Sequence, residues 1–167
     1  MAFRIGSIGT VGAQAIADTS TTAKHPLGTI INGVDDTYGE GEFIYLLGVA
    51  STVVGSMVTY NATTYQTALS PDTAGIGNAF AFAMSANVAS QYGWYQIGGL
   101  AVAKKTNTKF TPQVAVYQSA TTGRVMSTVA SGKQVVGCRS ANLATVTTTT
   151  STVVLQINRP HNTGVII

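Results

Sequence analysis

The chain has 167 residues, of which 45% are hydrophobic and only 9% are charged, and its formal net charge is +3. A chain of this length buries roughly 70% of its unfolded surface as one domain, so it requires neither a metal ion nor a disulfide to fold. The single cysteine, Cys138, excludes an intrachain disulfide, and no apolar run reaches the ~18 residues of a membrane span. The first residues lack the apolar core of a signal peptide, which predicts synthesis in a reducing cytoplasm.

Charge is distributed unevenly along the chain. All acidic residues lie at or before Asp72, where Arg4 and Lys24 are the only basic residues, whereas every residue with charge after that point is basic. Either the basic part faces an anionic partner such as nucleic acid, or the acidic part lies against basic surface of a neighbouring subunit. The basic residues are dispersed apart from Lys104-Lys105, which favours the second interpretation.

The N-terminal part reads as an extended arm. Glycines recur at Gly6, Gly9 and Gly12, and the run Ala17–Ala23 is small and polar. Residues 1–24 are therefore expected to bury little area, and such a segment gains order only against another surface. Residues 25–41 form a transition with turn signals at Asn32-Gly33 and around Gly39. Asp35 and Asp36 are interpreted as turn residues that bond to nearby backbone. These patterns predict an arm and transition over residues 1–41, a β-domain over 42–161 and a tail over 162–167.

Short segments of β-type follow one another at intervals of roughly 8–12 residues, separated by turn signals, which is typical of a sandwich or barrel. A threonine run over Val146–Ser151 is compatible with an edge strand or a long loop, and Pro160 is expected to end the last strand. The predicted strands, in chain order, are Glu42–Val49, Val53–Tyr60, Tyr65–Leu69, Ala79–Ala86, Gln91–Lys105, Gln113–Gln118, Val125-Met126, Gln134–Arg139 and Thr152–Asn158.

The segment Gln91–Lys105 is predicted to be the central strand. It contains the only tryptophan, Trp94, and it alternates apolar and polar residues beyond Gly98-Gly99. A glycine pair inside a strand indicates a bulge, a bend or close approach of another backbone. Trp94 is interpreted as a core anchor, with ligand stacking as the alternative.

Patterns that indicate catalysis or metal binding are not found. His25 and His161 have no metal-ligand spacing to another histidine, cysteine or acid, and neither a nucleophile elbow nor a phosphate-binding loop occurs. We therefore expect no enzyme activity, no cofactor, no metal and no small-molecule substrate. A hydrolase would require a histidine to meet an acid and a serine in the fold. Sugar binding through Trp94, Tyr92 and Tyr95 stays open as an alternative, and nucleic-acid binding is disfavoured because the aromatics follow a core pattern.

Several phrases in order resemble the head decoration, or cement, proteins of tailed bacteriophages. They are GEFIYLLGVAS at 41–51, FAFAMSANVASQYGWYQIGGLAVA at 80–103, VYQSATTGRV at 116–125, VVGCRSA at 135–141 and VVLQINRPH at 153–161. The resemblance covers roughly residues 25–161. It implies an all-β single-domain sandwich or barrel, jelly-roll or β-tulip-like, with an extended N-terminal arm.

The resemblance also implies a structural virion protein on the capsid exterior, made in the host cytoplasm. Such a protein forms a homotrimer that binds the major capsid protein, cements neighbouring copies and stabilises the expanded head, without a nucleic-acid or membrane partner. The alternative is a carbohydrate-binding or other accessory virion module. The residues expected at the capsid or subunit interface are Phe3, Arg4, Ile5, Thr37, Tyr38, Glu40 and Glu42.

Overall fold

The computed structural model describes the backbone of residues 4–5 and the whole of residues 14–164. Within these residues the chain has no helix, and its strands form one curled antiparallel sheet, an open half-barrel. The all-β prediction is therefore confirmed. The strands are β1 Arg4–Ile5, β2 Thr19–Ser20, β3 Ile30–Asp35, β4 Gly39–Leu47, β5 Met57–Tyr60, β6 Thr67–Leu69, β7 Phe80–Ala83, β8 Tyr92–Lys104, β9 Ala115–Gln118, β10 Val125–Met126, β11 Gln134–Ser140 and β12 Thr152–Asn162.

β8 is the central strand of the sheet, as the sequence predicts. Its first half pairs with β4 and β7, and its second half pairs with β12 from Gly98 to Lys104. Along the main path the strand order is β1-β3-β4-β8-β12-β11-β9-β10, while β5 joins β6 to β7 beside it. β8 therefore joins the two parts of the half-barrel, with β1, β3 and β4 on one side and β12, β11, β9 and β10 on the other.

The bend in β8 lies at the predicted glycine pair. Gly99 has a φ of 90°, and the pairing of β8 with β4 shifts register close by, between Glu42 and Phe43. A Cβ atom on Gly99 would lie 2.4 Å from the Glu40 carbonyl oxygen. Both the bend and the close backbone approach are thus present, and both require glycine.

The core consists of three clusters that the first half of β8 separates. Trp94 packs with Phe43 and Tyr45 on one face, and Tyr95 packs with Ile44 and Leu46 on the other, because successive side chains of a strand point to opposite faces. The third cluster lies under β7, β8 and β12. Trp94 and Tyr95 are both fully buried, so the prediction that Trp94 anchors the core is confirmed.

Part of the segment assigned to the arm is folded into the domain. Ile16 is only 2% exposed and packs in the Trp94 cluster, and β2 pairs with the start of β8. β3, which lies inside the predicted transition, alternates exposed and buried residues and pairs with β4 along its whole length. The expectation that residues 1–24 bury little surface is therefore wrong at Gln14 and Ile16, whereas residues 17–24 are mostly exposed. Asn32-Gly33 lies within β3, because pairing with β4 overrides its local turn preference.

β12 continues through Pro160 to Asn162, so the prediction that Pro160 ends this strand is wrong. Val136 pairs with His161 and Cys138 pairs with Ile157, which leaves a bulge around Gly137. Proline is tolerated at a bulge because no ladder hydrogen bond is required there. The threonine run after Val146 is a loop, and Cys138 is half-buried against the core, where burial raises the pKa of its thiol.

Candidate functional site

The predicted interface residues that the structure describes lie mainly at one corner of the sheet. β1 pairs with β3 through Arg4 opposite Val34 and Ile5 opposite Gly33. β3 and β4 form a hairpin whose turn carries Thr37, with Tyr38 and Glu40 at or beside it. Phe3 lies outside the described residues. The arm and the hairpin, whose paired residues are 28 and 30 positions apart in sequence, thus meet at this corner.

The tip of the hairpin, residues 36–40, is held by Asp35. This carboxylate is 5% exposed and accepts hydrogen bonds from the backbone N–H groups of Thr37 at 2.8 Å and Tyr38 at 2.9 Å. Such a bond pattern from an aspartate reproduces a backbone turn, which confirms the interpretation of Asp35 as a turn residue. Tyr38 and the exposed Glu40 are therefore presented on a fixed turn.

The outer side chains of β3 form an exposed strip, Ile30, Asn32 and Val34. Ile30 and Val34 are each 44% exposed, and all three strip residues alternate with buried neighbours. Across the hairpin, Val34 is paired with Glu40 and Asn32 with Glu42, so the strip combines apolar side chains with flanking carboxylates. Apolar side chains clustered on a surface and rimmed by polar groups are typical of protein interfaces. This β3 strip is the candidate docking surface.

Glu42 has a different role from the other predicted interface residues. Its carboxylate forms a two-bond ion pair with Arg159, at 2.7 Å from Nη2 and 3.1 Å from Nε. This contact raises the pKa of the Arg159 guanidinium and ties β4 to the bulged part of β12. Arg159 has a φ of 42° there, so the ion pair fixes the side chain of a residue with unusual backbone geometry. Glu42 therefore joins two strands of its own chain.

The aromatic residues proposed for sugar binding do not form an exposed platform. Trp94 and Tyr95 are both 0% exposed and they point into different core clusters. Tyr92 is half-buried, and its ring stacks with that of Tyr45 at a centroid distance of 6.4 Å. Stacking on a sugar requires an accessible ring face, so the carbohydrate alternative built on these three residues is wrong.

The cluster around Trp94 instead holds the base of the arm. Gln14 accepts the Trp94 Nε1–H through its carbonyl at 2.9 Å and the Tyr45 hydroxyl through Oε1 at 2.6 Å. Its backbone N–H donates to Nε2 of His25 at 3.2 Å, which makes that ring nitrogen the acceptor. The His25 ring lies 5.1 Å from Trp94 and 5.2 Å from Tyr45, centroid to centroid. Gln14 is thus a buried polar hub that the sequence did not reveal.

Titratable groups do not converge on a catalytic or metal site in the part of the chain that the structure describes. No group of three histidine, cysteine or acidic residues there could hold a metal ion. His25 faces aromatic rings, and His161 faces the backbone carbonyl of Arg159. The hydrolase alternative required a histidine beside an acid and a serine, and the hydrogen bonds of these two histidines do not supply that arrangement.

Comparison with protein-family models gives no match for this chain, and comparison with curated proteins gives none either. Across residues 4–5 and 14–164, no helix has the length and apolar character needed to cross a membrane.

Proposed function

We propose that the protein is a structural virion protein that binds the exterior of a bacteriophage head and cements neighbouring major capsid proteins. The phrases that resemble head decoration proteins motivate the proposal, and the β3 strip supports it. Ile30 and Val34 project from a rigid, paired strand beside the arm strand β1. A preorganised apolar strip of this kind can bury area on a partner without a large ordering cost.

The capsid surface is expected to cover the β3 strip and the adjacent β1 backbone. Ordered strands on both sides make this corner a suitable place for an additional strand or a flat apolar surface. The side-chain ion pair between Glu42 and Arg159 links β4 of the hairpin to β12. Links of this kind between strands would pass load from the hairpin to the rest of the sheet, which is a property that a cement protein requires.

Expanded heads that lack the protein provide the test. Purified wild-type protein is expected to co-sediment with them and to raise the temperature at which they release DNA. Val34→Asp and Ile30→Asp each replace one of the two apolar side chains of the strip by a charge and are expected to weaken binding by roughly tenfold or more, since an unpaired charge would be buried. Leu143→Asp is the matched control, because Leu143 is 100% exposed on a loop.

Each result has a defined meaning. Failure of the wild-type protein to bind would overturn the proposal, and so would unchanged binding of both strip variants. Binding without any gain in heat resistance would contradict the cement role and favour an accessory virion module. Thermal unfolding of each free variant separates lost contacts from lost folding.

A further inference from the structure

A basic pocket of about 290 Å³ lies where the end of β8 meets the loop before β5 and the turn between β9 and β10. Lys104 and Arg124 contribute two positive charges, and Leu69 contributes apolar surface. Hydroxyl groups complete the lining, from Ser51, Ser56, Thr121 and Thr122. The volume is close to the lower limit of about 300 Å³ for small-ligand pockets, which is enough for two side chains of a docked segment.

The two cations of this pocket have no acidic partner in the described part of the chain, where the ion pairs join Lys133 to Asp72 and Arg159 to Glu42. One Nη of Arg124 donates to the Lys105 carbonyl at 3.2 Å, which orients the guanidinium and leaves further N–H donors for a ligand. Carboxylates are, with phosphates, the groups that such a fork binds with two parallel hydrogen bonds. The pocket is therefore suited to an acidic side chain next to an apolar or aromatic one.

The hairpin tip of the same protein has this chemistry. Tyr38 is half-buried and Glu40 is exposed. The Asp35 carboxylate binds the backbone N–H of Tyr38, and Glu40 is paired with Val34 of β3. No hydrogen bond between described residues joins the tip to the pocket. Glu40 lies against Gly99, and the chain from Gly99 to Lys104 spans roughly 16 Å at strand spacing. A contact between tip and pocket is thus more readily made between two copies than within one.

We infer that the basic pocket of one copy receives the hairpin tip of a second copy, with Glu40 on Lys104 and Arg124 and Tyr38 against the apolar side. This contact brings the acidic N-terminal part of one copy against the basic C-terminal part of another, in agreement with the uneven distribution of charge along the chain. Tip and pocket are different patches, so the interface is heterologous and closes into a ring when the rotation allows it. In a ring of identical copies, the arm and the β3 strip of every copy would point in the same direction along the ring axis. The inference stands independently of what the β3 strip binds.

A charge-swap experiment tests the contact on the purified protein without capsids. Wild-type protein is expected to be oligomeric by light scattering and native mass measurement, with dissociation promoted by salt, because rim charges are screened. Glu40→Lys and Lys104→Glu each place like charges face to face and are expected to weaken association by roughly tenfold. The double variant E40K/K104E carries both reversals and is expected to associate within about threefold of wild type.

Lys109→Glu is the matched control, since Lys109 is exposed and does not line the pocket. A monomeric wild-type protein at high concentration would overturn the inference. Unchanged association of both single variants would also overturn it, as would failure of the double variant to recover. Lys104 is chosen for the reversal because Arg124 also bonds to the Lys105 carbonyl within its own chain.

Discussion

Tyr95 is a neutral phenol that the fold isolates from water. Its side chain is 0% exposed, and its hydroxyl accepts a hydrogen bond from Nδ2 of Asn87 at 3.1 Å. Burial disfavours the ionised form and raises the pKa of Tyr95 to about 12 from 10.0. Folding and proton binding are therefore linked at this residue in the alkaline range.

Stability should consequently fall between pH 10 and pH 12. In that interval the unfolded phenol loses its proton while the folded one retains it, so the unfolded state becomes relatively more favourable. Below pH 10 the contribution is fully present. The shift corresponds to roughly 2–3 kcal/mol, and urea unfolding at a series of pH values measures it.

The Tyr95→Phe variant provides the check on this assignment, because it cannot ionise at position 95. It should be less stable at neutral pH, yet it should lose less stability on going from pH 10 to pH 12. Tyr38→Phe at the hairpin tip is the control and should keep the wild-type slope. Parallel slopes for wild type and Tyr95→Phe would contradict the role assigned to Tyr95.

Lys104 and Lys105 show what a sequence can predict at this scale. Alternation along a strand predicts that they point to opposite sides, and they do. Which side is covered depends on distant segments, and Lys105 is 1% exposed with its Nζ donating to the carbonyls of Thr108 and Thr106. Burial lowers the pKa of Lys105, whereas Lys104 lines the basic pocket. The pattern alone could not separate a pocket residue from an internal one.

At the scale of elements, β8 pairs with β4 and β7 along its first half and with β12 along its second half, because it bends at Gly99. An alanine at this position would adopt a strained φ and would bring its Cβ to 2.4 Å from the Glu40 carbonyl oxygen and 3.0 Å from the Cα of Gly41. Backbone atoms in paired strands cannot yield easily. The bend therefore depends on the absence of a side chain.

Gly99→Ala should destabilise the protein by about 2–4 kcal/mol, the sum of left-handed strain and overpacking. Gly39→Ala is the matched control, because Gly39 also has a positive φ, 73°, but a Cβ there meets nothing within 4 Å. Gly39→Ala should therefore lower the free energy of unfolding only by the left-handed strain, about 1–2 kcal/mol. Urea midpoints compare the two, and equal losses would refute the close-approach argument.

Elements with strong periodicity were predictable, and elements that depend on partners were not. β8 and β11 were located within a residue or two because β-branched and aromatic residues mark them. β3 was missed because Asn32-Gly33 imitates a turn, and the end of β12 was misplaced because a bulge at Gly137 accommodates Pro160. Bulges depend on the register of two strands, and a local pattern does not contain that register.

At the scale of the whole molecule, the base of the arm completes the core. Ile16 fills the Trp94 cluster, and Gln14 satisfies the polar atoms of Trp94 and Tyr45 inside it. Without these residues the core would lose the apolar side chain of Ile16, and the Trp94 Nε1–H and the Tyr45 O–H would lose their acceptors. The core of the domain thus extends at least as far as Gln14, whereas the sequence predicts a boundary at residue 42.

Two truncations test this boundary. Removal of residues 1–18 should lower the free energy of unfolding by roughly 3–5 kcal/mol more than removal of residues 1–13, since it alone deletes Ile16 and Gln14. Calorimetry or urea unfolding of both proteins measures the difference. Equal stabilities would show that the segment 14–18 adds little to the domain.

The exposure of single residues in the candidate interface could be predicted from local composition. The domain boundary could not, because it depends on long-range contacts. Turn residues such as Thr37 and acidic residues such as Glu40 are recognisable as exposed from local composition. That β1 lies beside β3, and that Glu42 pairs with Arg159 at a separation of 117 residues, depends on the assembled sheet. Long-range contacts of this kind decide which exposed residues face outward together.

Trp94 is the only indole of the chain, and its Nε1–H bonds to the Gln14 carbonyl, so its fluorescence can report on the base of the arm. The ring is fully buried in the cluster that Ile16 completes. Any event that removes Ile16 and Gln14 from this cluster, whether assembly, cleavage or heating, changes the polarity around the indole ring and hence its emission wavelength. The state of the arm can therefore be followed without attaching a dye.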